Sequence, residues 1–131
     1  TLVDCDTAYV LYQAASSSID LVGDVAEVGV YRGGTARLIA RALEGSGKTL
    51  HLFDTFSGMP EVDSQVDYHR KDDFADTSVE AVERVLQGLG EYRLHPGCFP
   101  ESAAGLSSTA FCFAHIVWDD VGTRLRMHLA R

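Results

Sequence analysis

Cysteine is scarce in this chain, bases are outnumbered, and no stretch stays apolar for long; each shortage removes a class of function. Cys5, Cys98 and Cys112 are odd in number and lack metal-ligand spacing. A zinc site is therefore not indicated, and structural thiols in a reducing, cytoplasmic setting are expected. Nineteen acids against eleven bases leave a formal net charge of −8, which argues against nucleic acid or an anionic membrane surface as a partner. No apolar run approaches the ~20 residues of a membrane span. No secretory leader is visible either, in a chain that starts at Thr1. There is no repeat, low-complexity tract or domain linker. What remains is 131 residues, 46% of them hydrophobic, read as one domain over 1–131 with a real core.

The informative stretch is Glu27-Val28-Gly29-Val30-Tyr31-Arg32-Gly33-Gly34-Thr35. Residues 25–30 are short, apolar and β-branched, as a buried parallel strand would be. After the glycines, Ala36, Ile39, Ala40 and Leu43 recur at the spacing of one apolar helix face. Strand, glycine turn and helix in that order resemble a nucleotide-cofactor turn. Gly29 lets the chain leave the strand sharply, while Gly33 and Gly34 let a ligand lie against backbone without Cβ interference. The helix start then offers unpaired N–H donors to an anion. The spacing is G-x-x-x-G-G, not the G-x-G-x-x-G of dinucleotide binders, and Glu27 stands just before the first glycine. A pyrophosphate gains little from a carboxylate, whereas an ammonium or sulfonium is held by one. S-adenosylmethionine therefore fits better than NAD. The plain alternative is an ordinary tight turn with Glu27 in a local salt bridge. Tyr31 and Arg32, at the tip, suit cofactor contact, and a core or surface role for Tyr31 is equally open.

Residues 49–54 form a second strand ending in Asp54. An acid at the tip of the second strand of a wound α/β fold accepts hydrogen bonds from ribose hydroxyls; an Asp capping the next turn is the other reading. Gly45-Ser46-Gly47-Lys48-Thr49 resembles part of a phosphate loop but precedes a strand, so it reads as a helix stop and turn. Upstream, Ala8, Tyr12, Ala15, Ile19 and Val22 describe an amphipathic first helix. Downstream, Thr77 and Glu80 suggest a capping box before a helix with Val79, Val82, Leu86 and Leu89 on its inner face. Residues 92–94 form a short third strand, Pro100 opens a short helix, and residues 111–118 form a fourth, apolar strand. Between them, residues 57–76 make a long polar segment expected to act as a lid. Its Asp67 and His69 suit a solvated charged surface better than a metal site.

Four blocks of sequence together resemble the macrocin O-methyltransferase family of S-adenosylmethionine-dependent enzymes, which methylate sugar hydroxyls in antibiotic biosynthesis. They are Asp24-Val25-Ala26-Glu27-Val28-Gly29-Val30-Tyr31-Arg32-Gly33-Gly34, Leu52-Phe53-Asp54-Thr55-Phe56-Ser57-Gly58-Met59-Pro60-Glu61, Asp73-Phe74-Ala75-Asp76-Thr77-Ser78 and His95-Pro96-Gly97-Cys98-Phe99-Pro100-Glu101-Ser102. The resemblance runs from about residue 8 to residue 116 and implies an α/β, Rossmann-like class I methyltransferase fold in three α/β/α layers, incomplete at its C-terminal side. It also implies that Glu27, Gly29, Val30, Tyr31, Gly33, Gly34 and Thr35 bind S-adenosylmethionine, together with Asp54, Thr55, Phe56 and Gly97. The implied acceptor is a small molecule, a glycosylated natural product.

The family places Mg²⁺ on aspartates at strand ends, where the ion would stabilise alkoxide character on the acceptor hydroxyl. In this chain the first of those positions is Val117, and Asp119-Asp120 follow. Asp119 is the catalytic candidate and Asp119 with Asp120 the metal candidates; a simple turn after the strand is the alternative. A fourth strand left with a free edge invites pairing with a second copy. Two rival functions stand beside the methyltransferase: a non-catalytic cofactor-binding or oligomerising module, and an NAD-dependent oxidoreductase.

Overall fold

Four short segments rich in Val, Leu and Phe become four parallel strands, and the segments between them carry the chain back each time. The computed structural model describes residues 4–30, 33–56 and 78–117. In chain order these hold α1 (Cys5–Ser17), β1 (Asp24–Val28), α2 (Gly34–Ala42), β2 (Leu50–Asp54), α3 (Val79–Leu86), β3 (Tyr92–Pro96), a 3₁₀ helix (Glu101–Leu106) and β4 (Phe111–Ile116). The sheet order is β3-β2-β1-β4 and every pairing is parallel. Parallel neighbours need crossovers, and right-handed ones place α2 and α3 on one face while the return from β3 to β4 passes over the other. The architecture is α/β with helices flanking a parallel sheet. The order of the strands reverses between β1 and β4, and in such sheets ligands bind beyond the carboxyl ends of the strands at that reversal.

Strand alternation divides the interior in two. Val25, Leu50 and Leu52 meet Leu11 and Ala15 of α1, Ala36, Ile39 and Ala40 of α2, and Val82 and Leu86 of α3. On the opposite face Ala26, Val28 and Phe53 pack against Phe99, Ala103 and Leu106 around the 3₁₀ helix. Full burial of each aliphatic side chain contributes about 1.5–3 kcal/mol. The inner face expected for α2 is the one observed, as Ala36, Ile39, Ala40 and Leu43 are all buried.

Several boundaries differ from expectation. The first helix ends at Ser17 instead of continuing to Val22. Ser18 folds back, its N–H and its hydroxyl both reaching the Ala15 carbonyl, so the helical period is lost beyond it. Leu11 takes the inner position with Ala15, whereas Tyr12 is exposed and Val22 is 92% exposed. The N-cap of α3 is Ser78, whose hydroxyl accepts from the Ala81 N–H at 3.2 Å. This puts Ala81 at the third helical position, so Glu80 cannot close a capping box from there. β3 runs on to Pro96 because it is an edge strand in the described sheet, with β2 on one side only, and an edge tolerates a missing N–H. Tyr31, the segment 57–76, and Trp118, Asp119 and Asp120 lie outside the described residues.

Candidate functional site

The carboxyl ends of the strands are tied together by a short series of backbone hydrogen bonds. Gly29 N–H donates to Phe53 O at 2.9 Å, Gly97 N–H to Asp54 O at 3.0 Å, and Val117 N–H to Val28 O at 2.9 Å. These bonds bring the ends of β1, β2, β3 and β4 to one rim. Gly29 turns off β1 with φ +86, and a Cβ there would stand 3.0 Å from the Val117 carbonyl oxygen. Gly29 therefore serves both the turn and the close approach of β4.

Asp54 sits on this rim as expected, but its carboxylate is already engaged in shaping it. Oδ2 accepts from Val30 N–H at 2.9 Å and Oδ1 from Phe56 N–H at 3.2 Å. Of the two readings of Asp54 the turn cap is observed, and the carboxylate also bridges to the glycine loop. Thr55 Oγ1 lies 3.4 Å from Asp54 Oδ1. Phe56 has φ +56, a backbone rarely adopted outside glycine, and its ring is buried in the core beneath the helices. What Phe56 offers the rim is therefore backbone and not its ring.

Gly33 departs from its expected use. It has φ +86 and caps α2, and a Cβ on it would meet Val82 and Val85 of α3 at 3.6–3.7 Å. Its open side faces α3, so its lack of a side chain serves the left-handed turn and the α2–α3 approach. Gly97 also has positive φ, +127, and lies where β3 ends.

Glu27 is the unusual group. Its side chain is fully buried on the helix-covered face, one oxygen 2.9 Å from His115 Nδ1 on β4. The other oxygen, Oε1, is buried with no hydrogen-bond partner among the described residues. The Thr35 hydroxyl at the start of α2 lies close enough to lower the carboxyl pKa but does not satisfy Oε1. Burial raises the Glu27 carboxyl above its ordinary value, against the opposing pull of His115 and Thr35 and reinforced by the neighbouring charge of Asp54. A buried carboxylate oxygen without a donor is costly unless a ligand supplies one. Glu27 Oε1 and Asp54, on one rim at the strand reversal, suit a ligand that presents both a cation and hydroxyls. That is the chemistry expected of S-adenosylmethionine.

The match to known proteins follows the same residues. The family model for Macrocin-O-methyltransferase (TylF) matches residues 11–107. This chain belongs to the macrocin O-methyltransferase family. Mycinamicin III 3''-O-methyltransferase of Micromonospora griseorubida is 31% identical over 96 residues, covering 61% of this chain and 38% of that protein. The solved structure of the O-methyltransferase NovP aligns with a TM-score of 0.57 and 27% identity over 74% of this chain and 47% of NovP. The chain thus spans less than half the length of these two relatives.

A second polar group occupies the opposite face of the sheet. Asp24 Oδ2 is 3.0 Å from His51 Nε2, and His51 Nδ1 is 2.9 Å from His95 Nε2, joining β1, β2 and β3. The His95 ring stacks on Phe53 with centroids 4.7 Å apart. Sequence reading named neither this chain of groups nor His115 as site residues. Their partners are 27, 44 and 88 positions apart, and only the strand register brings them together. No group of three or more His, Cys, Asp or Glu able to hold a metal occurs among the described residues. No helix among them is long and apolar enough to cross a membrane.

Proposed function

We propose that the chain is an S-adenosylmethionine-dependent O-methyltransferase, or the cofactor-binding portion of one, acting on a sugar hydroxyl of a glycosylated natural product. The observation that carries this reading is the buried Glu27 carboxyl, whose Oε1 has no hydrogen-bond partner among the described residues, set beside Asp54 at the strand reversal. The cofactor supplies a methyl group on a sulfonium, already a good leaving group. Glu27 provides the negative charge for its cationic portion and Asp54 accepts from its ribose hydroxyls. Gly29 and Gly97 turn the backbone at the rim. In this reading Thr35, Thr55 and the backbone of Val30, Gly33 and Gly34 add further cofactor contacts. Aligning the acceptor and removing its proton fall to the remaining machinery. In this reading Asp119 takes the proton, and Asp119 with Asp120 are the residues for Mg²⁺.

Calorimetric titration with S-adenosylhomocysteine, with and without Mg²⁺ and with NAD as control, tests the reading. Micromolar binding of S-adenosylhomocysteine and none of NAD is expected; preference for NAD, or no binding by the folded chain, overturns it. Methyl transfer to a panel of sugar acceptors with and without a chelator then tests the substrate class and the Mg²⁺ requirement. One observation favours a second reading. Val117 stands where the family places its first metal aspartate, and its carbonyl closes against Gly29. A non-catalytic binding module would take up the cofactor without turnover. Self-association through the outer edge of β4 belongs to either reading, and light scattering across a concentration series reads it directly.

A further inference from the structure

We infer that His115 is the positioning residue for Glu27, pinning one carboxylate oxygen so that the other is presented to the positively charged amino-acid portion of the methyl donor. This rests on the proposed cofactor and deepens it, because neither composition nor the glycine motif assigns His115 any role.

The geometry begins with the register. Glu27 and His115 are paired positions on adjacent parallel strands, at the boundary where the strand order reverses. Parallel partners project to the same face, and the bond from Val117 N–H to Val28 O fixes that register one step further on. His115 Nδ1 is consequently 2.9 Å from Glu27 Oε2, while Oε1 is buried with no hydrogen-bond partner among the described residues. With Glu27 ionised, Nδ1–H donates and the ring becomes a stiff strut from one strand to the next. The two oxygens of a free carboxylate exchange by rotation about the last side-chain bond. A donor fixed to one of them removes that freedom and aims the other.

The choice of residue matters electrostatically. Among the described residues Glu27 is ion-paired with no lysine or arginine. A permanent cation would orient the carboxylate but also neutralise it, and would compete with the ligand's own cation. A histidine orients the group through Nδ1–H without placing a permanent cation beside it. The His115 side chain is 23% exposed while Glu27 is fully buried.

The test compares two ligands on three proteins. S-adenosylhomocysteine carries the ammonium-bearing amino-acid portion, and methylthioadenosine keeps the adenosine but lacks that portion. Their affinities are measured by calorimetry for the wild type, His115→Leu and His115→Asn, whose amide stands where Nδ1 does. We expect His115→Leu to weaken S-adenosylhomocysteine by about tenfold or more, the loss of one hydrogen bond to a charged group. Methylthioadenosine binding should be unchanged in it, and His115→Asn should stay within about threefold of wild type for both. Unchanged S-adenosylhomocysteine affinity in His115→Leu overturns the inference and leaves the proposed cofactor standing. So does an equal loss of both ligands, which would make His115 a packing residue. A folded wild type that binds neither ligand overturns the proposed function itself, and this inference with it.

Discussion

Glu27 combines a destabilising burial with the cofactor role proposed for it, and the two are separable by one substitution. Its carboxyl is held above the ordinary value of 4.5, chiefly by burial. The folded state is therefore favoured by this group fully below that ordinary value, and the contribution is lost as pH rises through the folded one. Glu27→Gln should raise the melting temperature relative to wild type at pH 8, with the difference shrinking toward pH 4, while S-adenosylhomocysteine binding is lost. Thermal melts at several pH values check the first part and calorimetry the second. Asp54 calls for a different substitution. Asp54→Ala strips acceptors from the buried backbone N–H groups of Val30 and Phe56, each loss costing about 1–3 kcal/mol. Asp54→Asn keeps an acceptor for one of them, and should cost less stability than Ala in a denaturant melt. Glu27 and Asp54 stood out in the sequence because each lies at or next to the end of a strand, beside a recognisable turn. His115 did not, since nothing near it in the chain names its partner.

The turns and caps carry their own predictions. Gly29 and Gly33 share φ +86 but differ in surroundings. Gly33→Ala meets side chains only at ordinary contact distance, so its cost is the left-handed backbone, about 1–2 kcal/mol. Gly29→Ala adds a 3.0 Å approach to the Val117 carbonyl and should unfold at distinctly lower denaturant than Gly33→Ala. The tie between β1, β2 and β3 should be visible on acidification. Burial first, then the charges of His51 and Arg93, hold His95 below its ordinary 6.5. Its contribution to stability is thus present above that value and lost as pH falls through the folded one. Asp24, which burial alone would raise, is held low by hydrogen bonds from His51 and Thr49, and so weakens at lower pH still. His95→Gln, which keeps a partner for His51 without titrating there, should flatten the loss of melting temperature between about pH 7 and 5. A wild-type curve already flat over that range would contradict this. Helix and strand positions were largely readable from periodicity, while the end of α1 and the cap at Ser78 were not. Both are decided by single side chains folding back onto backbone, a choice that hydrophobic spacing does not record.

Among the described residues, Gly29, Asp54 and Gly97 gather at one rim, with Glu27 buried just behind it, because the sheet reverses between β1 and β4, the arrangement in which loop N–H groups and strand-end carboxylates converge. Binding there should stabilise the chain as a unit: S-adenosylhomocysteine at a hundred times its Kd should add ~2.7 kcal/mol to unfolding, and NAD at equal concentration nothing. A ligand-dependent shift in melting temperature is the readout. The α/β class, the order of elements and the glycine turn follow from the sequence, because runs of Val, Ile and Leu at periods of two and 3.6 and glycines at fixed offsets are local properties of the chain. Folding alone decided that Gly33 faces α3, that the Phe56 ring enters the core, and that one Glu27 oxygen meets His115 while the other has no hydrogen-bond partner among the described residues. Those outcomes depend on which residues the strand register sets side by side. Register is fixed by the packing of the whole sheet against its helices and not by any one segment.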